Sequence, residues 1–545
     1  MTAKPTGTPG NSVLGDALEV VLLNRSTASR FLGALVVALF VFFLHLPQTQ
    51  DGILFDDAAD YMRAAHAPIV STWLNTNSAT PLELLHRRKS DPEFNRHPWF
   101  TAYNEGDNAA LRHFHAPVMF YILHIVRGFF STDRCARVLW SVAGALLCGL
   151  FYLILTDSSL PLIVAALLAF FVGVQASLIE LSVDPTPHAW YLLSALGFLF
   201  LFARYLTNHR PRDLYLAAIS LALAVATLEF SLELFAAIPV SLVILWLTKR
   251  QSLPARSAAV KPTLKACAVF LLTTFVIWPG GWLRGGYLEC YGILSAYVLH
   301  RNTVAHPHPH RFPVNFFNKA WTGHASVWIL VAIGILAGLW LLFRKRLSIP
   351  SVVFSSCAVF AFGLGVADHF LLNTYFFESA VMLLAAVGFI LGDFFADLKQ
   401  AEGSSSRMPG WGRPVLIGLV ASLIVVGSTL ECSPAHRADA WSTRPSIAVI
   451  VAGVRQIVPA GATVMTANNR EAFSLYLPEY HIVFSPDYHL QPEDILHFMN
   501  TTPLWRPGED HYGIGIQRGG IPANAEILRV FQTSNRYNEL LWRAH

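Results

Sequence analysis

Residues 31–63 read FLGALVVALFVFFLHLPQTQDGILFDDAADYMR: an uncharged, mainly apolar run that ends at Leu46, then a cluster of acids opening at Asp56. A run of that length lies at the lower end of what crosses a bilayer core of about 30 Å. Acids so soon after it sit close to the membrane surface. The composition agrees with this reading. Of 545 residues, 54% are hydrophobic and 14% charged, and the mean hydropathy is +0.46, whereas soluble domains carry about 25% charged residues. A soluble enzyme is excluded, and so is a disordered chain, which needs low hydrophobicity and high net charge. Lys+Arg 39 against Asp+Glu 35 leaves +4, which gives no electrostatic reason to expect a nucleic-acid partner. The six cysteines show neither metal-type spacing nor a disulfide framework. Cys148, Cys267 and Cys357 fall in apolar runs and read as packing residues.

Working outward from the first run, the pattern predicts an α-helical polytopic membrane protein with about eleven transmembrane helices. The expected spans are 31–46, 136–155, 161–181, 188–206, 214–228, 231–247, 266–279, 322–343, 350–367, 376–395 and 414–430. Glu229, Glu233 and Pro239 argue for a turn between the fifth and sixth in place of one long helix. Residues 1–30 form a long polar leader, and no small-residue cleavage pattern follows Leu46, so the first span is not expected to be a cleaved signal.

Orientation follows from where Lys and Arg fall. One set of loops carries Lys4, Arg25 and Arg30, then Arg210 and Arg212, then Lys249, Arg250, Arg256, Lys261 and Lys265, then Arg344, Lys345 and Arg346, then Lys399, Arg407 and Arg413. The short loops 182–187, 229–231 and 368–375 carry none. The N-terminus is therefore expected in the cytoplasm. The outer face receives two large loops, 47–135 and 280–321, and the tail 431–545. Segments 1–30, 31–430 and 431–545 are thus expected as cytoplasmic leader, transmembrane domain and outer domain. The tail is polar and alternates strand-like runs (462–466, 481–484, 527–532) with short helical ones (470–477, 492–499), which reads as a small α/β domain. Residues 403–414, rich in Ser and Gly, read as a flexible loop. No internal repeat is visible, which weighs against transporter folds built from two related halves.

The candidate chemistry lies in the two large loops. If helical from Asp56, the first motif puts Asp56 and Asp60 on one face, with Arg63 a turn further and Asp57 elsewhere. Neighbouring carboxylates raise one another's pKa and a nearby Arg lowers it, so one acid can be poised as a proton acceptor. The plain alternative is a solvent-facing helix with acids in its first turn. Further on, Arg112, His113 and His115 introduce an apolar stretch, 118–130, too short to span, which reads as an interfacial helix. The second loop opens Trp278-Pro279-Gly280-Gly281-Trp282-Leu283-Arg284, an interfacial bend, and continues to His300-Arg301. Arg112, Arg284 and Arg301 can bind phosphate through the planar guanidinium fork, or His and Arg simply decorate headgroup-level helices. His306-Pro307-His308-Pro309-His310 is held extended by its prolines and cannot close a metal cage alone.

These features together resemble the GT-C glycosyltransferases, in particular the protein O-mannosyltransferase-like and aminoarabinose-transferase-like branch. They are Phe55-Asp56-Asp57 after the first span, Arg112-His113-x-His115-x-Pro117 before an interfacial helix, Trp278-Pro279-x-Gly281-Trp282 opening the second outer loop, and a small outer tail. The resemblance covers most of the chain in layout and few residues in sharp motif. It implies a polyprenyl-phosphate-linked sugar donor and an active face on the outer or lumenal side. Asp56 is implied as general base and Asp57 as its partner, although relatives usually carry Glu at the second position. It leaves Asp60, Arg63, Arg112, His113, His115, Arg284 and Arg301 as candidate substrate-binding residues. The tail segments 457–464 and 472–477 are similar to the outer domain of bacterial relatives, and no retention signal is seen, so a bacterial inner membrane is the expected location.

The implied reaction is one inverting displacement, in which a carboxylate takes the proton of the acceptor hydroxyl as polyprenyl phosphate departs. Arginines at the leaving phosphate stabilise charge that grows in the transition state. The acceptor is a lipid, a glycan or a protein. No cofactor is required, though a divalent metal is compatible. Two rivals stand beside this. Asp56-Asp57-Ala58-Ala59-Asp60 also spells DDxxD, by which prenyl-transferring enzymes hold magnesium on a diphosphate, but no second aspartate-rich motif accompanies it. A lipid-linked-sugar flippase or transporter needs charges within the spans, whereas Glu180, Glu229, Glu233, Asp368 and Glu378 lie near the expected outer ends.

Overall fold

The computed structural model describes residues 27–49, 56–76, 80, 82, 86, 116–129, 133–228, 231–249, 253–288, 290–291, 325–367, 373–404, 412–432, 447–466, 470–484, 510–516, 521–522, 524–531 and 538–544. In chain order its helices are α1 (Thr27–His45), α2 (Asp56–Ala64), α3 (Ile69–Trp73), α4 (Val118–Phe129), α5 (Asp133–Thr156), α6 (Leu162–Gly173), α7 (Ala176–Val183), α8 (His188–Asn208) and α9 (Pro211–Val225). They continue as α10 (Leu232–Lys249), α11 (Arg256–Ile277), α12 (Pro279–Leu283), α13 (Ala325–Phe343), α14 (Ile349–Ala367), α15 (Asn373–Ser404), α16 (Gly412–Glu431), α17 (Ile447–Ile457) and α18 (Arg470–Tyr476). Among the described residues, six helices (in α1, α5, α8, α11, α15 and α16) are long and apolar enough to cross a membrane, and α6, α10, α13 and α14 are shorter apolar helices.

The bundle is organised by which face of each helix can be covered. On α1, Ala34, Val37, Val41 and His45 are buried at helical spacing, while Phe31, Leu35, Leu39 and Phe43 face outward. Small residues of this stripe let α1 lie close against α5: the Gly149 position abuts the Ala34 carbonyl. Helix α11 is nearly all outward-facing, with Leu264, Leu271, Leu272 and Val276 exposed, as suits contact with lipid. It also carries Cys267, which is exposed and does not pack in the core as its apolar setting led one to expect; Cys148 and Cys357 are buried.

Two expected spans differ most in the structure, and the one expected at 376–395 runs on as α15 to Ser404. The stretch 161–181 is broken, α6 ending at Gly173 and α7 beginning at Ala176. The orphan carbonyls at the break are taken by side chains: His45 Nε2 donates to the Gly173 carbonyl at 2.8 Å and Gln175 Nε2 to Phe171 at 3.1 Å. The span expected at 266–279 is a longer helix that starts at Arg256. The turn expected around Glu229 is present in that α9 closes at Val225 and α10 opens at Leu232.

The two ends of α5 identify the two ends of the bundle. At its C-terminal end, Arg30 of α1 meets Asp157 at 2.7 Å. Arginines also pair with carboxylates at Arg344–Asp397 and, more loosely, Arg204–Asp213. At its N-terminal end, Asp133 accepts a hydrogen bond from Tyr476 of α18 at 2.7 Å. With a rise of 1.5 Å per residue, α5 is about 36 Å long, close to the thickness of a bilayer core. The tail therefore docks at the end opposite the Arg30 pair.

The tail builds a five-stranded sheet of order β2-β1-β3-β5-β4, from β1 (Thr463–Thr466), β2 (His481–Phe484), β3 (His511–Ile516), β4 (Glu526–Phe531) and β5 (Glu539–Ala544). β1 runs parallel to β2 and β3, and β5 antiparallel to β3 and β4. The expected strands 462–466, 481–484 and 527–532 match β1, β2 and β4 within a residue, while β3 and β5 were not expected. Glycine is what lets this pair form. Gly513 lies opposite Trp542, whose buried ring fills the space a Cβ at 513 would take. Residues 492–499, expected as a helix, lie outside the described residues.

Candidate functional site

The acidic motif forms α2, with Asp56 as its first residue. The helix is placed by its alanines. Ala58, Ala59, Tyr61, Met62 and Ala65 are all within 3% of full burial, and they share one apolar cluster with Met119, Phe120 and Leu123 of α4, Trp140 of α5, and Ile450, Phe473 and Leu541 of the tail. Tyr61 and Phe120 meet edge to face at 6.1 Å. α2 is thus held between α4, α5 and the tail. Helical geometry puts positions 56, 60 and 63 on the side away from that buried stripe, with position 57 on its flank. Arg63 is half-buried.

Beside Arg63, a second arginine not anticipated from the sequence, Arg127, lies near the end of this helix. His66 has its pKa pushed down to about 4, first by partial burial and then by the neighbouring Arg127 and Arg63 guanidiniums. It is therefore neutral at physiological pH, and the charge there belongs to the two arginines. Arg127 sits in the last turn of α4, whose His124 ring donates to the Ala65 carbonyl at 3.2 Å. The amphipathic character of 118–130 is the available signal, since it fixes the face of α4, Met119, Phe120, Leu123 and Val126, that packs inward.

The end of α11 and the turn that opens the second large loop are fastened to the first by four polar contacts that cross 156 to 209 residues of sequence. Trp278, fully buried, donates from Nε1 to the Thr72 carbonyl at 3.1 Å. Trp73 donates back to Val276 at 3.0 Å, Tyr121 of α4 donates to Ile277 at 3.0 Å, and Arg284 Nε donates to the Asn75 carbonyl at 2.9 Å. Gly280 is required at the start of α12, because a Cβ there would overlap the Leu74 backbone. The Trp-Pro-Gly-Gly turn is therefore a joint between the loops, and Arg284 is held against the first one. Arg112, His113, His115 and Arg301, together with the tract 306–310, lie outside the described residues.

Two further carboxylates lie inside the bundle, near the end where the tail docks. Glu233 at the start of α10 accepts a short hydrogen bond from Tyr191 of α8. Glu378 of α15 accepts from His188 of α8 at 2.8 Å. Both glutamates are 2% exposed, and no group of three His, Cys, Asp or Glu able to hold a metal occurs among the described residues.

No family model and no curated protein matches the chain. Among solved structures it is similar to crystal structures of ArnT from Cupriavidus metallidurans, over 95% of this chain and 98% of that one. The identity is 13% with a TM-score of 0.46 for the form bound to undecaprenyl phosphate, and 12% with a TM-score of 0.49 for the apo form.

Proposed function

We propose that the chain is an integral-membrane GT-C-type glycosyltransferase of the bacterial inner membrane, moving a sugar from a polyprenyl-phosphate carrier to a hydroxyl acceptor on the outer face. The observation that carries this reading is the joint between the two large loops, by which a helix opening with Asp56-Asp57 and the turn bearing Arg284 are parts of one layer at one end of the bundle. In this reading the lipid tail of the donor stays among the spans while its glycosyl phosphate meets that layer. Asp56 takes the proton of the acceptor hydroxyl as oxygen attacks the anomeric carbon, and the bond to the carrier phosphate breaks with inversion. Asp57 and Asp60 flank the base, and Arg63 sets its charge. Arg284, with Arg112, Arg301, His113 and His115 as further binding groups, holds the phosphate as negative charge grows on it. N-terminus in the cytoplasm and residues 431–545 outside complete the arrangement.

Purified protein incubated with a panel of labelled polyprenyl-phosphate sugars and membrane acceptors tests it. Transfer by the wild type, its loss in Asp56→Asn with unchanged thermal unfolding, and independence from a prenyl diphosphate are expected. Full transfer by Asp56→Asn removes that residue from the chemistry, and strict magnesium dependence with a prenyl diphosphate donor replaces the reading with prenyl transfer.

A further inference from the structure

We infer that Asn75 is a positioning residue for Arg284, acting through its backbone carbonyl; the inference rests on the reading of Arg284 as a phosphate-binding group. Asn75 follows α3 in the left-handed region, with φ 54°. The reason is local. Thr76 N donates to the Ser71 carbonyl at 2.9 Å and Asn75 N to the Thr72 carbonyl at 3.2 Å, the paired bonds by which a left-handed residue closes a helix. That turn swings the Asn75 carbonyl out of the helix direction and onto Arg284 Nε. A guanidinium is planar, so holding Nε–H on this carbonyl restricts the directions in which its other nitrogens can point.

Two features set this turn apart from an ordinary helix end. His209 and Lys345 are also left-handed residues that close helices, but they lie at the ends of α8 and α13, where His209 is exposed. Asn75 is completely buried, and neither its Nδ2 nor its Oδ1 has a hydrogen-bond partner. Glycine would close the helix without the cost of an unpaired buried amide. The side chain is enclosed next to the Gly286 position, with no surface open to solvent. What the turn supplies to its surroundings is therefore the carbonyl.

The prediction turns on backbone conformation, which side-chain substitutions can separate. Asn75→Gly keeps the left-handed geometry, whereas Asn75→Val, β-branched, resists it. Binding of undecaprenyl phosphate to the purified full chain, measured by native mass spectrometry, gives a readout that needs no knowledge of the sugar. Arg284→Gln is expected to weaken binding about tenfold, the effect of losing a charge-assisted hydrogen bond. Asn75→Val should weaken it severalfold, Asn75→Gly should leave it unchanged, and Asn75→Val combined with Arg284→Gln should be no worse than Arg284→Gln alone, because the two act through one group. If Asn75→Val does not accumulate, Asn75→Ala takes its place. Unaltered binding in Arg284→Gln sinks the phosphate role of Arg284 and this inference with it. Weakened binding in Arg284→Gln but not in Asn75→Val or Asn75→Ala overturns the positioning role alone, as does an Asn75→Gly variant as impaired as Asn75→Val.

Discussion

Two sets of carboxylates lie toward the same end of this molecule, one borne by a short anchored helix and the other by helices inside the bundle. Those of α2 belong to a helix whose alanine and tyrosine side is clamped by α4, α5 and the tail, with positions 56 and 60 on the opposite helical face. Glu233 and Glu378 are enclosed between α8, α10 and α15, and each is satisfied by a partner from α8, Tyr191 or His188. A carboxylate that is enclosed and hydrogen-bonded ties helices together, and removing its partner leaves a buried polar group unpaired. In the function proposed above, a carboxylate on the opposite face of this anchored helix reacts with substrate without disturbing the fold. On the proposed function, the burial of the neighbours, and not the presence of acids, separates fastening groups from reacting ones.

The largest effects expected come from exchanging the consequences of the two settings. Asp56→Asn should lower the rate of transfer by about 10²–10⁴-fold, the contribution of a positioned general base, with an unchanged melting temperature in detergent. Glu378→Ala should do the reverse: a loss of about 3–5 kcal/mol from a broken buried pair, seen as a lower melting temperature, with the rate per folded molecule preserved. If instead Glu378→Ala stops turnover at an unchanged melting temperature, the comparison breaks and the reacting carboxylate lies in the bundle.

The sequence carried one side of this comparison and not the other. Asp56 to Arg63 stood out because acids directly after a spanning run are rare, and the periodicity of Ala58, Ala59, Met62 and Ala65 makes the helix legible. Glu233 and Glu378 were visible only as acids near expected span ends, because their partners lie 42 and 190 residues away in the chain. Asn75 was illegible for the same reason: its significance comes from Arg284, 209 residues on. In the tail, β5 reads Glu-Leu-Leu-Trp-Arg-Ala, a run of good helix formers that the sheet overrides by pairing it on both edges. The break after Gly173 was hidden because the apolar run continues through it, and the residue that stabilises the break, His45, comes from the first span.

A third setting sharpens the comparison. Glu539 of β5 is buried in the tail, its Oε2 has no hydrogen-bond partner, and burial pushes its pKa up to about 7. It is enclosed like Glu378 but unpaired. Its folded form holds a proton that the unfolded chain releases near 4.5. Stability is therefore greatest below that value, falls as pH rises toward about 7, and levels off above it, by about 3 kcal/mol at most. Unfolding of the full chain followed by tryptophan fluorescence, which includes the buried Trp542, should show that decline. Glu539→Gln should flatten it; an equal slope in that variant assigns the dependence to another group.

The smallest effect tests whether the tail is what holds α2. α18 packs on α2 and is tied to the start of α5 through Tyr476 and Asp133. Beside a small cluster of its own at Met465, Trp542 and Ala544, the tail shares its larger core with α2, since Val464, Phe473 and Leu541 lie in one apolar cluster with Ala59 and Met62. Loosening α18 must therefore loosen α2. Tyr476→Phe removes one hydroxyl and leaves the ring, at a cost of about 1 kcal/mol. Hydrogen exchange should quicken at the amides of α18 and, to a similar degree, at those of α2, while α8 and α15 keep their protection. Faster exchange confined to α18 means that α4 and α5 alone anchor the acidic helix, and the tail then has no part in presenting Asp56.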